Sequence, residues 1–189
     1  MIYQLKIRPE QYKLLDLNVV LLAEKVGEQA AMQIFRQAST NESLKDIWQD
    51  IACTTYDMPD ANKPEMPDIS LWMDVYPFMN ERAYDTLKSH LSDLGEFLPI
   101  QVDGERFYVF NCMTFGTEDP SRVRYVYDED VAIGVEELAF LDVSAETNLL
   151  FKSNISFVGS LFCTERFKQL CEEHKLKGLR FEEDLLAVF

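Results

Sequence analysis

The stretch EFLPIQVDGERFYVFNCM, residues 96–113, limits the fold of this 189-residue chain more than any other. Two alternating runs flank Asp103-Gly104, a pair that tolerates the positive φ angles of a two-residue type I′ turn, so the spacing predicts a β-hairpin near 97–113. That register places Leu98, Ile100 and Val102 on one face with Val109, Phe107 and, beside the turn, Glu105. One face is therefore apolar except at the turn. Pro99 cannot donate a ladder hydrogen bond, so its strand is expected to be an edge or to bulge there.

Upstream, IYQLKI reads as a first strand broken at Pro9, and YKLLDLNVVLL continues either as extended structure or as a helix. From Val26 the apolar set Ala30, Ile34, Phe35 and Ala38 recurs at helical spacing, predicting a helix to about Ala38. A second short helix is predicted with Ser43 as N-cap and Leu44, Ile47, Trp48 and Ile51 as its apolar stripe. The segment DMPDANKPEMPD carries three prolines and no apolar periodicity, which makes it a loop. Downstream, RVRYVY, residues 137–143, LLF and ISFVGSLF are rich in β-branched and aromatic residues. Strands should dominate the C-terminal half, with one helix embedded in it. The expected architecture is α+β: a mixed, mainly antiparallel sheet, the hairpin, and several flanking helices. Residues 1–189 read as a single domain, with 1–56 a candidate N-terminal lobe joined by the Pro-rich loop 57–69.

A duplicated pattern organises the helices. FMNERAYDTL, from Phe78, and FCTERFKQL, from Phe162, share a polar N-cap candidate, Asn80 or Thr164, followed by Glu-Arg; nine residues after each Glu stands one of the two histidines, His90 and His174. The Glu in the first turn suits the helix macrodipole, and each His falls near the helix end, on or beside the buried face. Gly95 and Gly178 are expected to stop the two helices ahead of a strand. A Glu-His dyad within one copy would be about 13 Å apart by helix rise, so only pairing between copies could build a site. The structural reading of both histidines is the simpler one.

The chain carries 33 acidic and 18 basic residues, net −15, which speaks against nucleic acid and anionic membrane as partners and points to a basic one. Between Arg124 and Lys152 there is no base, while Asp128, Glu129, Asp130, Glu136, Glu137, Asp142 and Glu146 fall inside the gap. The first five are the candidate partner-binding residues. An ordinary solvated acidic face is the competing reading. The four cysteines form no Cys-x-x-Cys pair and sit in apolar stretches, as reduced packed thiols do. No stretch is long and apolar enough to span a membrane, and the charged start MIYQLKIRPEQYK is unlike a signal peptide, so the chain is read as cytoplasmic. Phosphate-binding loops, dinucleotide fingerprints, His-Glu-x-x-His and Gly-x-Ser-x-Gly are all missing. Asp128-Glu129-Asp130 as a general acid/base or Mg²⁺ cluster is the one catalytic alternative the acids offer.

Four motifs in order, MPDISLW (66–72), FMNERAYDTL, LGEFLPI followed by FYVFN (107–111), and CTERFKQLCEEHKLKGLRF (163–181), resemble bacterial immunity-protein family eleven of the polymorphic-toxin systems. The resemblance covers roughly residues 40–181. It implies an α+β protein that binds and neutralises a cognate toxin, with no catalysis, cofactor or metal. It also implies fold-determining roles for Trp72 and Phe181 as core anchors and Gly178 as helix stop, beside the cap positions Asn80 and Thr164, and transfers no binding residue. After Asn111 the sequence MTFGTEDPSRVRY departs from the family pattern, leaving residues 113–124 without an expectation. Two other functions compete: a carboxylate-based hydrolase or nuclease, and an acidic adaptor subunit for a basic protein.

Overall fold

The computed structural model describes residues 1–141, 148–155 and 158–188. Among them the elements run β1 (Ile2–Ile7), β2 (Leu14–Asp16), α1 (Val19–Val26), α2 (Glu28–Thr40), β3 (Ile51–Tyr56), β4 (Ile69–Trp72), β5 (Tyr76–Asn80), α3 (Glu81–Leu91), β6 (Gly95–Val102), β7 (Glu105–Cys112), β8 (Arg124–Asp128), β9 (Val131–Glu137), β10 (Leu150–Lys152), β11 (Leu161–Thr164), α4 (Glu165–Glu173) and β12 (Leu179–Glu182). The fold is α+β. A six-stranded sheet of order β2-β3-β6-β7-β5-β4 is antiparallel except for the parallel pair β3–β6. A four-stranded antiparallel sheet has the order β10-β11-β1-β12, and β8 and β9 form a ribbon of their own.

The hairpin forms as its turn chemistry dictates. Asp103 and Gly104 take φ of 51° and 85°, and Val102 pairs with Glu105, Ile100 with Phe107 and Leu98 with Val109. Alternation then sends side chains to two cores. Leu98, Ile100, Phe107 and Val109 pack with Phe78 against Leu22, Ala31 and Ile34 of α1 and α2. Met79, Phe110 and Cys112 face the other way and meet Ala83 and Leu87 of α3, Phe167 and Cys171 of α4, and Tyr3 and Leu5 of β1.

The duplicated pattern marks a repeated arrangement in space. The order β6-β7-β5-β4 has its counterpart in β12-β1-β11-β10: each half has an antiparallel strand pair (β4/β5, β10/β11), a helix (α3, α4) and a returning strand (β6, β12). The strand between the returning strand and the one that enters the helix is β7 in the first half. In the second it is β1, drawn from the other end of the chain. Residues 1–56 are accordingly shared between both sheets, β1 in one and β2 and β3 in the other.

Several local expectations are corrected. The helix expected from Val26 to about Ala38 forms as α2, starting after Gly27 with φ 89°; ahead of it the run left open between strand and helix gives β2 and then the separate helix α1, which starts at Val19 because Asn18 Oδ1 accepts from the amides of Val20 and Leu21. The Ser43-capped helix is a single turn, with Ile47 N and Trp48 N donating to Leu44 O, and Ile51 already belongs to β3. The buried Glu96 side chain holds that turn instead, accepting from Ser43 Oγ at 2.8 Å and from Leu44 N. Pro99 lies neither on an edge strand nor at a bulge: β6 pairs with β7 throughout, and β3 joins its other side only from Ile100 onward. The Pro99 carbonyl accepts from Trp48 Nε1 at 2.9 Å.

The caps divide. Asn80 Oδ1 accepts from Ala83 N at 2.9 Å, but Thr164, in the equivalent place, makes no side-chain cap bond, and its buried hydroxyl has no partner among the described residues. Neither glycine is a helix stop. Ser92 ends α3, and Gly95 is in β6, where a Cβ would lie 2.1 Å from the Asn111 carbonyl oxygen. Lys175, with φ 52°, is the left-handed residue after α4: its amide donates to Glu172 O and that of Leu176 to Cys171 O, the bond pattern of a Schellman motif. Gly178 comes three residues later, where φ of 125° and a Cβ position 2.2 Å from Ile69 O both exclude a side chain.

Candidate interaction surface

Residues 124–137 form a two-stranded ribbon outside both sheets. Its sequence alternates β-branched and aromatic residues, and Glu129, with φ 53°, supplies the positive angle that the two-residue loop between Asp128 and Val131 needs. Two register irregularities, opposite Arg124/Tyr125 and Val126/Tyr127, give β9 the extra residues Glu136 and Ile133, while β8 runs without interruption. The root is anchored: Val123 and Val135 pack on a small core of Leu138, Phe140, Phe151 and Phe162. The preceding residues 113–123 lead the chain there through bridges of Phe115 to Lys152 and Glu118 to Phe140 and through an Asp119–Ser121 turn.

All five residues of β8 are exposed. Tyr125 and Tyr127 share one face, with ring centroids 6.3 Å apart, and Tyr127 (60%), Val131 (66%) and Ile133 (56%) are the most open. Such a density of exposed apolar side chains on a small element makes it the candidate contact surface. Sequence reasoning gave weight to the acids and missed these residues; the alternation of RVRYVY was the available signal, but it could not say that no other described element covers it.

The five candidate acids do not form one cluster. Asp128, Glu129 and Asp130 stand exposed at the tip, whereas Glu136 and Glu137 lie at the root, about 20 Å away along the strand. Glu137 is already partnered, its Oε2 being 2.7 Å from a guanidinium nitrogen of Arg124. Asp142 and Glu146 lie outside the described residues. Beneath β9, Ile133, Gly134 and Val135 border a cleft of about 380 Å³ whose far wall carries Lys6, Asp74 and Ser160.

The remaining residues singled out from sequence are placed as follows. Trp72 is buried, donating from Nε1 to Leu17 O at 2.8 Å and resting on Tyr76; Phe181 is half-buried, edge-on to Tyr3. His90 and His174 are exposed rather than set on a buried face. The two copies do touch, through Arg82, which donates to the His174 carbonyl and, at 2.9 Å, to Asp68; neither imidazole takes part. Glu165 accepts from the Tyr3 hydroxyl at 2.6 Å, a bond that lowers its pKa, and from Gln169 Nε2 one turn along the helix. Among the described residues, no group of three or more His, Cys, Asp or Glu side chains is placed to hold a metal ion.

Buried ionisable groups belong to the core. Lys152 donates to the Gln37 carbonyl (2.9 Å) and Oε1 (3.1 Å), and burial lowers its pKa to about 8. Burial raises the Cys53 and Cys112 thiols to about 11 and Cys171 to about 12, so none is a ready nucleophile. No protein-family model matches the chain, and no curated protein matches it.

Proposed function

We propose that this protein is a non-catalytic binding protein that neutralises a basic partner, and that the partner is a bacterial toxin met in the cytoplasm. The observation that carries the proposal is the ribbon, which presents exposed aromatic and aliphatic side chains beside three exposed acids at its tip, on a chain of net charge −15. Charge of this kind acts chiefly on encounter and on rejecting wrong partners, while a few apolar anchors supply most of the affinity. The order of the four motifs that resemble immunity-protein family eleven supports the toxin as the partner class.

Co-expression tests this reading. A toxin domain encoded beside this gene should kill the host when expressed alone and spare it when this protein is present. Binding without rescue would favour an adaptor for a basic assembly partner, and the absence of both binding and rescue would overturn the proposal.

A further inference from the structure

Among the described residues the outer edge of β8 has no partner strand, and β8 is regular and exposed over its whole length, while the bulges that bend the ribbon lie on β9. Natural proteins protect such an edge with a bulge, a proline or charges that repel an incoming copy. The charges here do the reverse. Residues 122–130 read Arg-Val-Arg-Tyr-Val-Tyr-Asp-Glu-Asp, and the order of basic, aromatic and acidic residues inverts about Val126.

We propose that β8 pairs antiparallel with β8 of a second copy of this chain, on a two-fold axis through Val126, joining two ribbons into one four-stranded sheet. In that register Arg124 stands opposite Asp128 and Tyr125 opposite Tyr127, each relation occurring twice by symmetry, while Arg122 and Asp130 lie in the turns just beyond the two strand ends and bring opposite charge there. Opposite-charge and aromatic pairs directly across an antiparallel ladder are the ones that stabilise it. Parity also agrees, because Arg124, Val126 and Asp128 lie on one face and the tyrosines on the other. Sliding the second copy by one or two residues breaks the Arg124–Asp128 match and sets Tyr125 against a residue other than Tyr127, so the register is specified. Arg124 would then sit in a row between Glu137 of its own β9 and the second copy's acid, and a guanidinium has donors enough for both. A single short strand pair buries less than a standard interface, so the dimer is concentration-dependent. The pairing does not depend on the toxin reading.

Sedimentation from micromolar protein up to about 1 mM tests it. The wild type should pass from monomer to dimer, and added salt should weaken the dimer. Arg122→Asp/Arg124→Asp and Asp128→Arg/Asp130→Arg, both confirmed folded by circular dichroism, should each stay monomeric, and an equimolar mixture should associate, since every cross-axis pair is then opposite in charge. Val126→Cys should cross-link to itself on mild oxidation, whereas Val131→Cys, away from the axis, should do so at least tenfold more slowly. A wild type that remains monomeric throughout, or an all-acidic variant that dimerises alone, would overturn the proposal.

Discussion

Arg82, from the first Glu-Arg pair, donates to the main-chain oxygen of His174 at the end of the second helix, so the two duplicated segments are fastened by a backbone contact that uses neither histidine ring. His90→Gln with His174→Gln should therefore leave partner binding within severalfold and the melting temperature nearly unchanged. Arg82→Ala, which frees the carbonyl of His174 and leaves the Asp68 carboxylate with only its bonds from Asn80 Nδ2 and the Lys177 amide, should cost about 1 kcal/mol, a figure held down by the exposure of the guanidinium. Loss of binding in a folded double-Gln variant would restore a functional role to the rings.

Two glycine substitutions should differ in mechanism and in size. At Gly104 no atom lies within 4 Å of a built Cβ, so Gly104→Val pays only for its φ of 85°, about 1 kcal/mol or somewhat more. Gly178→Ala meets the Ile69 carbonyl at 2.2 Å as well as an unfavourable φ and should cost several times as much. Denaturant midpoints for the two variants check the order, and equal values would count against the tight approach of Gly178 to β4.

Alkaline pH should act on two opposing sets of buried groups. Lys152 has its folded pKa depressed to about 8, so the unfolded chain binds more protons between there and about 10.4, and this group's contribution to stability rises across that window. The buried thiols have raised folded values of about 11 to 12, and Cys163 is also well above its usual range. Their contribution is whole below about 8.5 and is lost as pH climbs through those values. Lys152→Met removes the rising contribution alone, so its stability should fall more steeply than the wild type's between pH 8 and 10, the difference being at most about 3 kcal/mol. Urea unfolding at three pH values reads it directly, and parallel pH profiles would show that Lys152 is not desolvated.

The ribbon should divide rate from affinity. Neutralising Asp128, Glu129 and Asp130 should slow association with a basic partner about tenfold at low salt and flatten its salt dependence, whereas Glu136→Gln and Glu137→Gln should do less, Glu137 being occupied by Arg124. Tyr125→Ala with Tyr127→Ala should instead raise the dissociation rate, by tenfold or more. Stopped-flow association and surface-plasmon dissociation separate the two. An unchanged association rate for the triple variant would move the interface off the tip.

What could be read from sequence was governed by short-range chemistry. Asp103-Gly104 fixes its own turn and hence the register of two strands, and Asn80 caps the helix that follows it. The misread elements depend on distant partners. The 43–48 turn is held by Glu96 from another strand, the Glu165 that follows the non-capping Thr164 is engaged by Tyr3 of β1, and Lys152 looks like a surface base until Gln37 is seen above it. At the candidate site, the gap in basic residues was visible as a charge pattern. Its separation into tip and root, and the open tyrosines between them, follow from a β-turn and two bulges that charge counting does not register.

The use of β1 as the third strand of the C-terminal sheet has a consequence for synthesis. Its register partners, Phe162 to Thr164 and Leu179 to Glu182, leave the ribosome more than 150 residues after it does. At about 5–20 residues per second β1 waits on the order of ten seconds or longer without a ladder, while strands β2 to β7 already have one another. Its closure is thus a late, high-contact-order step, and the exposed IYQLKI segment is the part of the nascent chain with most need of a chaperone.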